Sequence, residues 1–310
     1  MRVEVQGCTT NLGYTCNCVK YTGPTEYPVS ARELSFDWDN TPEYYSAMQS
    51  LRALVRELPS VLLGYSGGVD SAFLAVVLRQ ELGGERMLAV IGRSPSYPEA
   101  QWHAARDVAG RFDIPLLEVD THELEDANYL ANPTNRCFFC KTELWSRLVP
   151  LAQERGLAVV CDGTNADDLR EHRPGKAAGI HSGVRSPLAE VGLTKTEIRA
   201  ASRELGLPTW DAPAAPCLSS RVRYGLSITP SRLKQVEASE AFLRGLGVTG
   251  DLRVRHLGDV ARLEAEPQWI AWIEAHRATI TAQLLSFGFT QVEIDPRGYR
   301  RGSLLEPSSP

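Results

Sequence analysis

Apolar residues recur at helical spacing from Pro42 onward, where Tyr45, Met48, Leu51, Leu54 and Val55 mark one face of an opening helix. Short apolar runs then alternate with longer mixed ones. Residues 61–65, 87–91, 114–119 and 157–161 read as strands. Residues 72–82, 98–112 and 137–155 read as helices, the first amphipathic and the second with Pro98 suitably placed near its first turn. This alternation predicts an α/β fold, a doubly wound parallel sheet with helices on both faces. Ligands of such sheets sit beyond the carboxyl ends of the strands, where the Gly67-Gly68 turn, Ser94 and Asp162 all fall.

The rhythm breaks at residues 210–217, too proline-rich for regular structure and placed to join two domains. Beyond it, 233–246 and 269–287 read as helices, 252–256 and 260–264 as strands paired around Gly258-Asp259, and 291–294 as a last strand. That order predicts a smaller α+β domain over 211–310, following a larger domain over 41–210. Residues 1–40 are rich in Thr, Gly and Pro and show no period, so an N-terminal extension without fixed structure is expected there.

Composition narrows the class only a little. A 310-residue chain with 43% hydrophobic and 23% charged residues is long enough for one large or two medium globular domains. No apolar run approaches a membrane span and no basic-then-apolar leader opens the chain, which predicts a cytoplasmic protein. A net charge of −5 counts against a general nucleic-acid binder, whose phosphate contacts need a basic surface. Seven cysteines, an odd number, are poorly explained by structural disulfides in such a compartment and point to metal, cluster or sulfur chemistry.

The strongest local signal is Tyr65-Ser66-Gly67-Gly68-Val69-Asp70-Ser71, set between a strand and a helix. Gly67 and Gly68 let the backbone turn and approach an anion closely, and the N–H groups opening the helix point at it. Ser66 and Ser71 add hydroxyl donors. Asp70 is out of place in a pure anion cradle, but suits a Mg²⁺ ion carried on phosphate oxygens. No Gly-Lys-Ser/Thr follows, so this is not a Walker loop. The string resembles the PP-loop of the N-type ATP pyrophosphatases, which cleave ATP between its α- and β-phosphates and adenylate a substrate. The competing reading is a tight strand–helix turn that happens to be rich in serine and glycine.

Cys137 and Cys140 share one turn at a predicted helix start, just before Lys141, where the helix dipole favours thiolates. Cys217 lies in the proline-rich loop. Three thiolates can hold a 4Fe–4S cluster and leave one iron open to sulfide; alternatively the first two pack as small hydrophobes and the third is free. Cys161 reads as a buried strand thiol. Asp162, Gly163, Asp167 and Asp168 follow it, as Mg²⁺ or substrate ligands or as a hydrogen-bonded turn. Ser94 is placed to meet adenine. Lys141, Arg185, Lys195 and Arg221 are candidate phosphate neutralisers. Arg253, Arg255 and His256, with Arg297, Arg300 and Arg301, make a basic cluster able to grip a phosphate, or else a solvated edge strand.

Beyond the PP-loop, the segments Asn132-Pro133-Thr134-Asn135-Arg136-Cys137-Phe138-Phe139-Cys140-Lys141, Asp162-Gly163-Thr164-Asn165-Ala166-Asp167-Asp168, Arg173-Pro174-Gly175, Val184-Arg185-Ser186-Pro187-Leu188, Pro216-Cys217-Leu218-Ser219-Ser220-Arg221, Arg253-Val254-Arg255-His256 and Gly298-Tyr299-Arg300 occur in order. Together they resemble the ATP-dependent sulfur insertases that mature the nickel-pincer cofactor of lactate racemase, the LarE family. The resemblance spans about residues 44–302 and implies ATP with Mg²⁺ as cofactors and a PP-loop domain over 41–210. It also implies a substrate and oligomerisation domain over 211–310. The implied activity adenylates the carboxylates of pyridinium-3,5-dicarboxylate mononucleotide and replaces AMP by sulfur, giving thiocarboxylates. It further implies homo-oligomers, hexamers among them, a sulfide donor, and a nickel-insertion protein acting downstream. In one branch of the family the cysteine matching Cys217 surrenders its own sulfur; in another, three cysteines matching Cys137, Cys140 and Cys217 hold a 4Fe–4S cluster. The presence of all three here favours the cluster branch. Arg253 and Arg255 match positions linked to phosphate binding, and Cys217, Asp70 and Lys141 are the expected catalytic residues.

The runner-up is a PP-loop tRNA thiolase with a three-cysteine cluster, against which the acidic balance counts. Amide-forming PP-loop synthetases have no use for the cysteines, and a nucleotide-sensing module has none for Asp70.

Overall fold

The computed structural model describes the backbone of residues 2–9, 15–22, 42–170 and 174–305, with side chains from Tyr45 onward in those ranges. The expectation of no fixed structure over 1–40 differs from the described backbone at 2–9 and 15–22, which forms strands; its remainder, and Arg173 of the Arg173-Pro174-Gly175 segment, lie outside the described residues. In chain order the first elements are β1 (Arg2–Thr9), β2 (Thr15–Thr22), α1 (Pro42–Glu57), β3 (Val61–Gly64), α2 (Val69–Leu82), β4 (Met87–Arg93), α3 (Glu99–Arg111) and β5 (Leu116–Asp120). There follow α4 (Ala127–Leu130), α5 (Arg136–Glu154), β6 (Val159–Cys161), α6 (Ala166–Arg170), α7 (Pro174–His181), α8 (Pro187–Glu190) and α9 (Lys195–Glu204). The chain continues through α10 (Pro230–Gly245), β7 (Leu252–His256), β8 (Val260–Ala265), α11 (Pro267–Ala275), α12 (Arg277–Ser286) and β9 (Gln291–Ile294). The chain divides into two compact units. The first holds residues up to Arg93, Glu99–Thr121 and Lys141–Ala212; the second holds Ser94–Pro98, His122–Cys140 and Pro213–Pro310.

In the first unit, β6, β3, β4 and β5 lie side by side in that order and pair in parallel, with the β1–β2 hairpin antiparallel beside β5. The doubly wound parallel sheet expected from the alternation is present. Val61, Leu62 and Leu63 of β3 are fully buried, as a central strand covered on both faces requires. The chain leaves β3 toward β4 and β5 on one side and returns to β6 on the other, so the order reverses between β3 and β6. That reversal opens a crevice at the carboxyl ends of the two strands. Helix α2 differs from the amphipathic helix expected: Ser71 through Leu78 are all buried, because α2 packs on the sheet, α1 and α9 together. A helix apolar all round is a core helix. Helices α6 and α8 are too short for an apolar period to stand out in the sequence. Helix α9 starts at a capping box in which Thr194 and Glu197 satisfy each other's backbone N–H groups.

In the second unit, β7 and β8 pair antiparallel and β9 joins β8 in parallel, a small mixed sheet. Its apolar core gathers Leu252, Val254, Leu263, Ile273, Ile280 and Leu284. The expected helix over 269–287 is broken at His276, whose φ of −104° leaves the helical range and whose ring stacks on Trp272. A second cluster packs Tyr129 against Leu218, Val222, Ile228, Leu233 and Val236. Among the described residues, no helix is long and apolar enough to cross a membrane.

Candidate functional site

The loop between β3 and α2 is shaped by its glycines and serines. Gly67 sits at φ +67°, and a Cβ there would lie 2.4 Å from Ala105 Cβ. A side chain is therefore excluded twice over, by backbone conformation and by α3. Tyr65 pins the turn from below by donating from its hydroxyl to Ala105 O at 3.0 Å. Gly68 opens α2 with no side-chain cap, so the first amides of α2 keep their capacity for an anion. Ser71 Oγ donates to Gly68 O at 3.2 Å, accepts from Ser66 N at 3.3 Å and lies 3.1 Å from Ser66 Oγ. Gly163, just beyond β6, comes so close that a Cβ on it would sit 2.8 Å from Ser71 N. The loop and the end of β6 thus flank the strand-order reversal.

Asp70 Oδ2 accepts from Lys195 Nζ at 2.6 Å, while Oδ1 is buried without a partner. One carboxylate oxygen left open beside an anion loop suits Mg²⁺, which binds through one or two carboxylates plus substrate phosphates. Lys195 stands at the first turn of α9, and its backbone N–H donates to Asp167 Oδ2 at 2.8 Å. Asp168 Oδ2 accepts from Asn165 N at 3.2 Å, and Asp162 is occupied by Thr164 and Ser186. Asp162, Asp167 and Asp168 are thus engaged in turns and caps. Lys141 Nζ lies 5.1 Å from the centre of the Trp145 ring in the same unit. Arg185 is committed to Glu190, whose carboxylate raises its pKa against burial and is lowered in return. Cys161 is fully buried and its thiol is pushed up to about 12 by that burial, as a strand core residue should be.

The second unit holds Cys137, Cys140 and Cys217, none of them in a disulfide. The organiser is Asn132, buried at φ +53°, a conformation asparagine tolerates. Its side-chain amide donates to Val222 O at 3.3 Å, Arg223 O at 2.9 Å and Leu226 O at 3.0 Å, and its Oδ1 accepts from Arg136. The segment carrying Cys137 and Cys140 is thereby stitched to the segment that follows Cys217. Burial works against the charge of Arg136, but Cys217, Cys137, Tyr129 and Tyr224 outweigh it and hold its pKa above the ordinary value. Burial, together with Cys217 and Cys140, pushes the Tyr129 phenol well up, so it stays protonated; its oxygen lies 2.6 Å from Ser219 Oγ. Among the described residues, no three His, Cys, Asp or Glu side chains converge as a ready-made ion site. Three thiols are nonetheless the right donor type for an iron–sulfur cluster.

Ser94 and Ser96 also belong to the second unit, where both hydroxyls meet Glu123 Oε1. The expected basic cluster takes a different form. Arg253 and Arg255 are 3% and 6% exposed, so β7 is not a solvated edge. His256 falls on the opposite face with Val254, beside Phe289, because side chains alternate along a strand. Burial lowers its pKa to about 4, so it is neutral near pH 7. Arg221 is paired with Glu240 and Arg255 with Glu264, while Arg297 and Arg300 face Asp295.

The structure therefore gathers Ser66, Gly67, Gly68, Asp70, Ser71 and Gly163 in one unit, and Ser94, Cys137, Cys140, Cys217, Arg221, Arg253 and Arg255 in the other. Sequence reasoning passed over Asn132, Arg136, Glu123 and Tyr129 as individual site residues. It named Lys195 as a candidate phosphate neutraliser without placing it at a helix start, although the Thr194-Lys195-Thr196-Glu197 capping box marks one.

Comparison with known proteins agrees with this geometry. The NAD synthase family model matches residues 44–143, the span from α1 through the nucleotide loop into α5. Over 84% of its length the chain is 42% identical to the uncharacterized protein slr1717 of Synechocystis sp., covering 97% of that protein. It is 32% identical to the pyridinium-3,5-bisthiocarboxylic acid mononucleotide synthase of Lactiplantibacillus plantarum, over 82% of this chain and 92% of the relative. The uncharacterized protein MJ0830 of Methanocaldococcus jannaschii is 29% identical over 77% of this chain and 90% of its own. The chain belongs to the PP-loop ATP pyrophosphatases, the NAD synthase-like family that takes in the pyridinium-3,5-bisthiocarboxylic acid mononucleotide synthase.

Proposed function

We propose that this protein is an ATP-dependent sulfur insertase acting on the carboxylates of pyridinium-3,5-dicarboxylate mononucleotide. The observation that carries the reading is the company of Cys217. A nucleotide loop alone serves many adenylating enzymes, but three thiols drawn around Arg136 and Tyr129 serve sulfur chemistry. The relative from Lactiplantibacillus plantarum, named for a bisthiocarboxylic acid product, supports the same substrate class.

The chemistry runs in two displacements. A substrate carboxylate oxygen attacks the α-phosphorus of ATP, and pyrophosphate leaves with its charge on the amides opening α2, the hydroxyls of Ser66 and Ser71, and Lys195. Mg²⁺, held through Asp70, would neutralise phosphate charge. A sulfur nucleophile then attacks the acyl carbon and AMP departs with the former carboxylate oxygen, which leaves a thiocarboxylate. Cys137, Cys140 and Cys217 are the residues we assign to a 4Fe–4S cluster, which when bound supplies a transferable sulfide; the Arg136 cation lies near Cys137 and Cys217. Arg253 and Arg255 are assigned to the phosphate of the substrate, and Lys141 to the carboxylate under attack. Homo-oligomeric assembly and cytoplasmic location complete the proposal.

The test uses anaerobically purified full-length protein with ATP, Mg²⁺, sulfide and the pyridinium mononucleotide. Expected are pyrophosphate release, a product heavier by one oxygen-to-sulfur exchange, and iron with acid-labile sulfide bound to the protein. Cys217→Ala is expected to release pyrophosphate without forming thiocarboxylate. Full thiolation by that variant overturns the proposal.

A further inference from the structure

The loop that presents Cys217 is exposed from Pro213 to Pro216 and has no regular structure, yet buried guanidinium groups grip its main chain. Arg253 Nη2 donates to Ala214 O at 2.6 Å. Arg221 Nη1 donates to Pro216 O, and to Cys217 O at 3.0 Å. Arg255 Nη1 donates to Ser220 O at 3.1 Å. From the other direction, Leu218 N donates to Ser96 O at 2.8 Å, and Ser96 Oγ donates to Glu123 Oε1 at 2.7 Å. Carbonyls before, at and after the cysteine are thus all engaged by cations, and the next amide is engaged as well.

The three arginines differ in what else they do. Arg221 is bound through two nitrogens to Glu240, at 3.0 Å each, and Arg255 to Glu264 at 2.8 Å. These pairs would hold the two cations inside the unit whatever the loop did. Arg253 is held less firmly: among the described residues its ion pair is the longer one to Asp251 at 3.7 Å, beyond hydrogen-bond distance, and its hydrogen bonds go to the carbonyls of Leu252 and Ala214. Its guanidinium carbon lies 5.0 Å from the centre of the Tyr299 ring. Burial, with Arg221 nearby, lowers its pKa. A buried cation without a close carboxylate is unfavourable unless its donors are used. The donors of Arg253 are used on the loop three residues before Cys217.

We propose that Arg253 is a positioning residue for Cys217, holding the loop through Ala214 O so that the thiol stays beside Tyr129 and Arg136. This is separate from the phosphate contact assigned to Arg253 above, and it operates with no substrate present. The role needs the planar fork of arginine, which serves Leu252 O and Ala214 O at once; an ammonium group serves such a pair poorly.

The test is residue-resolved alkylation with iodoacetamide on the full chain, freed of any bound iron by chelation and without nucleotide or substrate, read by peptide mass spectrometry at Cys217 and at Cys140. Wild-type protein is expected to modify slowly at Cys217. Arg253→Met, which leaves an unbranched side chain beside Tyr299 but removes the charge and the donors, is expected to raise the Cys217 rate about tenfold, the scale of one lost charge-assisted hydrogen bond. Cys140 is expected to stay within about twofold, since the motion is local. Arg253→Lys, a milder change to the fold, is expected to fall between the two and to accelerate backbone deuterium exchange at residues 214–220. Equal rates at Cys217 in all three proteins would overturn the proposal, as would a rise at Cys140 matching that at Cys217. Neither result bears on thiocarboxylate formation, so the assigned activity stands or falls separately.

Discussion

Adjacent glycines in the nucleotide loop should respond differently to the same added methyl group. At Gly67 an alanine must adopt φ +67° and place its Cβ 2.4 Å from Ala105 Cβ and 2.9 Å from Ala105 Cα. The left-handed conformation costs about 1 kcal/mol. Overpacking against a helix that cannot swing aside adds about 1–3 kcal/mol. A total of about 2–4 kcal/mol predicts a fall in melting temperature of roughly 4–16 °C for a compact unit of the size that holds this loop. At Gly68, φ is −72° and the new Cβ meets only Ser66 Oγ at 3.5 Å, an ordinary contact. Its fold should lose no more than about 1 kcal/mol, the difference between glycine and alanine at a helix start. The methyl group would nonetheless stand where phosphate must approach the first amides of α2. Gly68→Ala is therefore expected to keep its melting temperature within about 4 °C and to weaken ATP–pyrophosphate exchange about tenfold. Calorimetry and the exchange assay, run on both variants, decide it. If Gly67→Ala melts with the wild type, or Gly68→Ala exchanges pyrophosphate at the wild-type rate, the account of this loop is wrong.

Three further outcomes follow from the buried charges and caps. Arg255→Leu strands Glu264, which is fully buried and retains only Arg262 and Ser303; urea unfolding should show a loss of about 3 kcal/mol, and Arg255→Leu with Glu264→Leu should recover part of it. Because the pKa of His256 is lowered to about 4 from an unfolded value of 6.5, its contribution is present above pH 6.5 and is lost as pH falls through that window. Stability in urea should therefore drop by up to about 3 kcal/mol between pH 7 and pH 4 from this group, and His256→Gln should flatten that part of the curve. Thr194→Ala removes one half of the capping box of α9 and should cost about 1 kcal/mol in urea unfolding, while loosening Lys195 against Asp70 enough to raise the KM for ATP; an unchanged KM would show that the cap does not position Lys195.

Legibility in the sequence followed the strength of the local physics. Strand β3, the turn after it and the presence of a helix beyond the turn are readable because a short apolar run and paired glycines are distinctive over a few residues, whereas the all-round burial of α2 is not. The strands 252–256 and 291–294 were placed to the residue for the same reason. Helices over 166–204 were not seen, since α6 and α8 are too short for a period to form and α9 shows only a narrow apolar stripe through Ile198 and Ala201. The nucleotide loop could be assembled from neighbours in sequence. The surroundings of Cys217 could not, because Asn132, Glu123 and Arg253 reach them only through tertiary hydrogen bonds spanning dozens of residues. An arginine on a strand looks solvated until its carboxylate, here Glu264 across the register from Arg253 and bonded to Arg255, is found beside it.

The enclosure of α2 on every side has a mechanical consequence. A rod wedged among a sheet and two companion rods has no direction in which to yield, so the amides at its tip are fixed before any nucleotide arrives. On the proposed assignment of the leaving group to these amides, little ordering entropy remains to be lost there when pyrophosphate forms. Whatever travels during turnover must be lightly anchored chain, and the seat of the leaving group stays still.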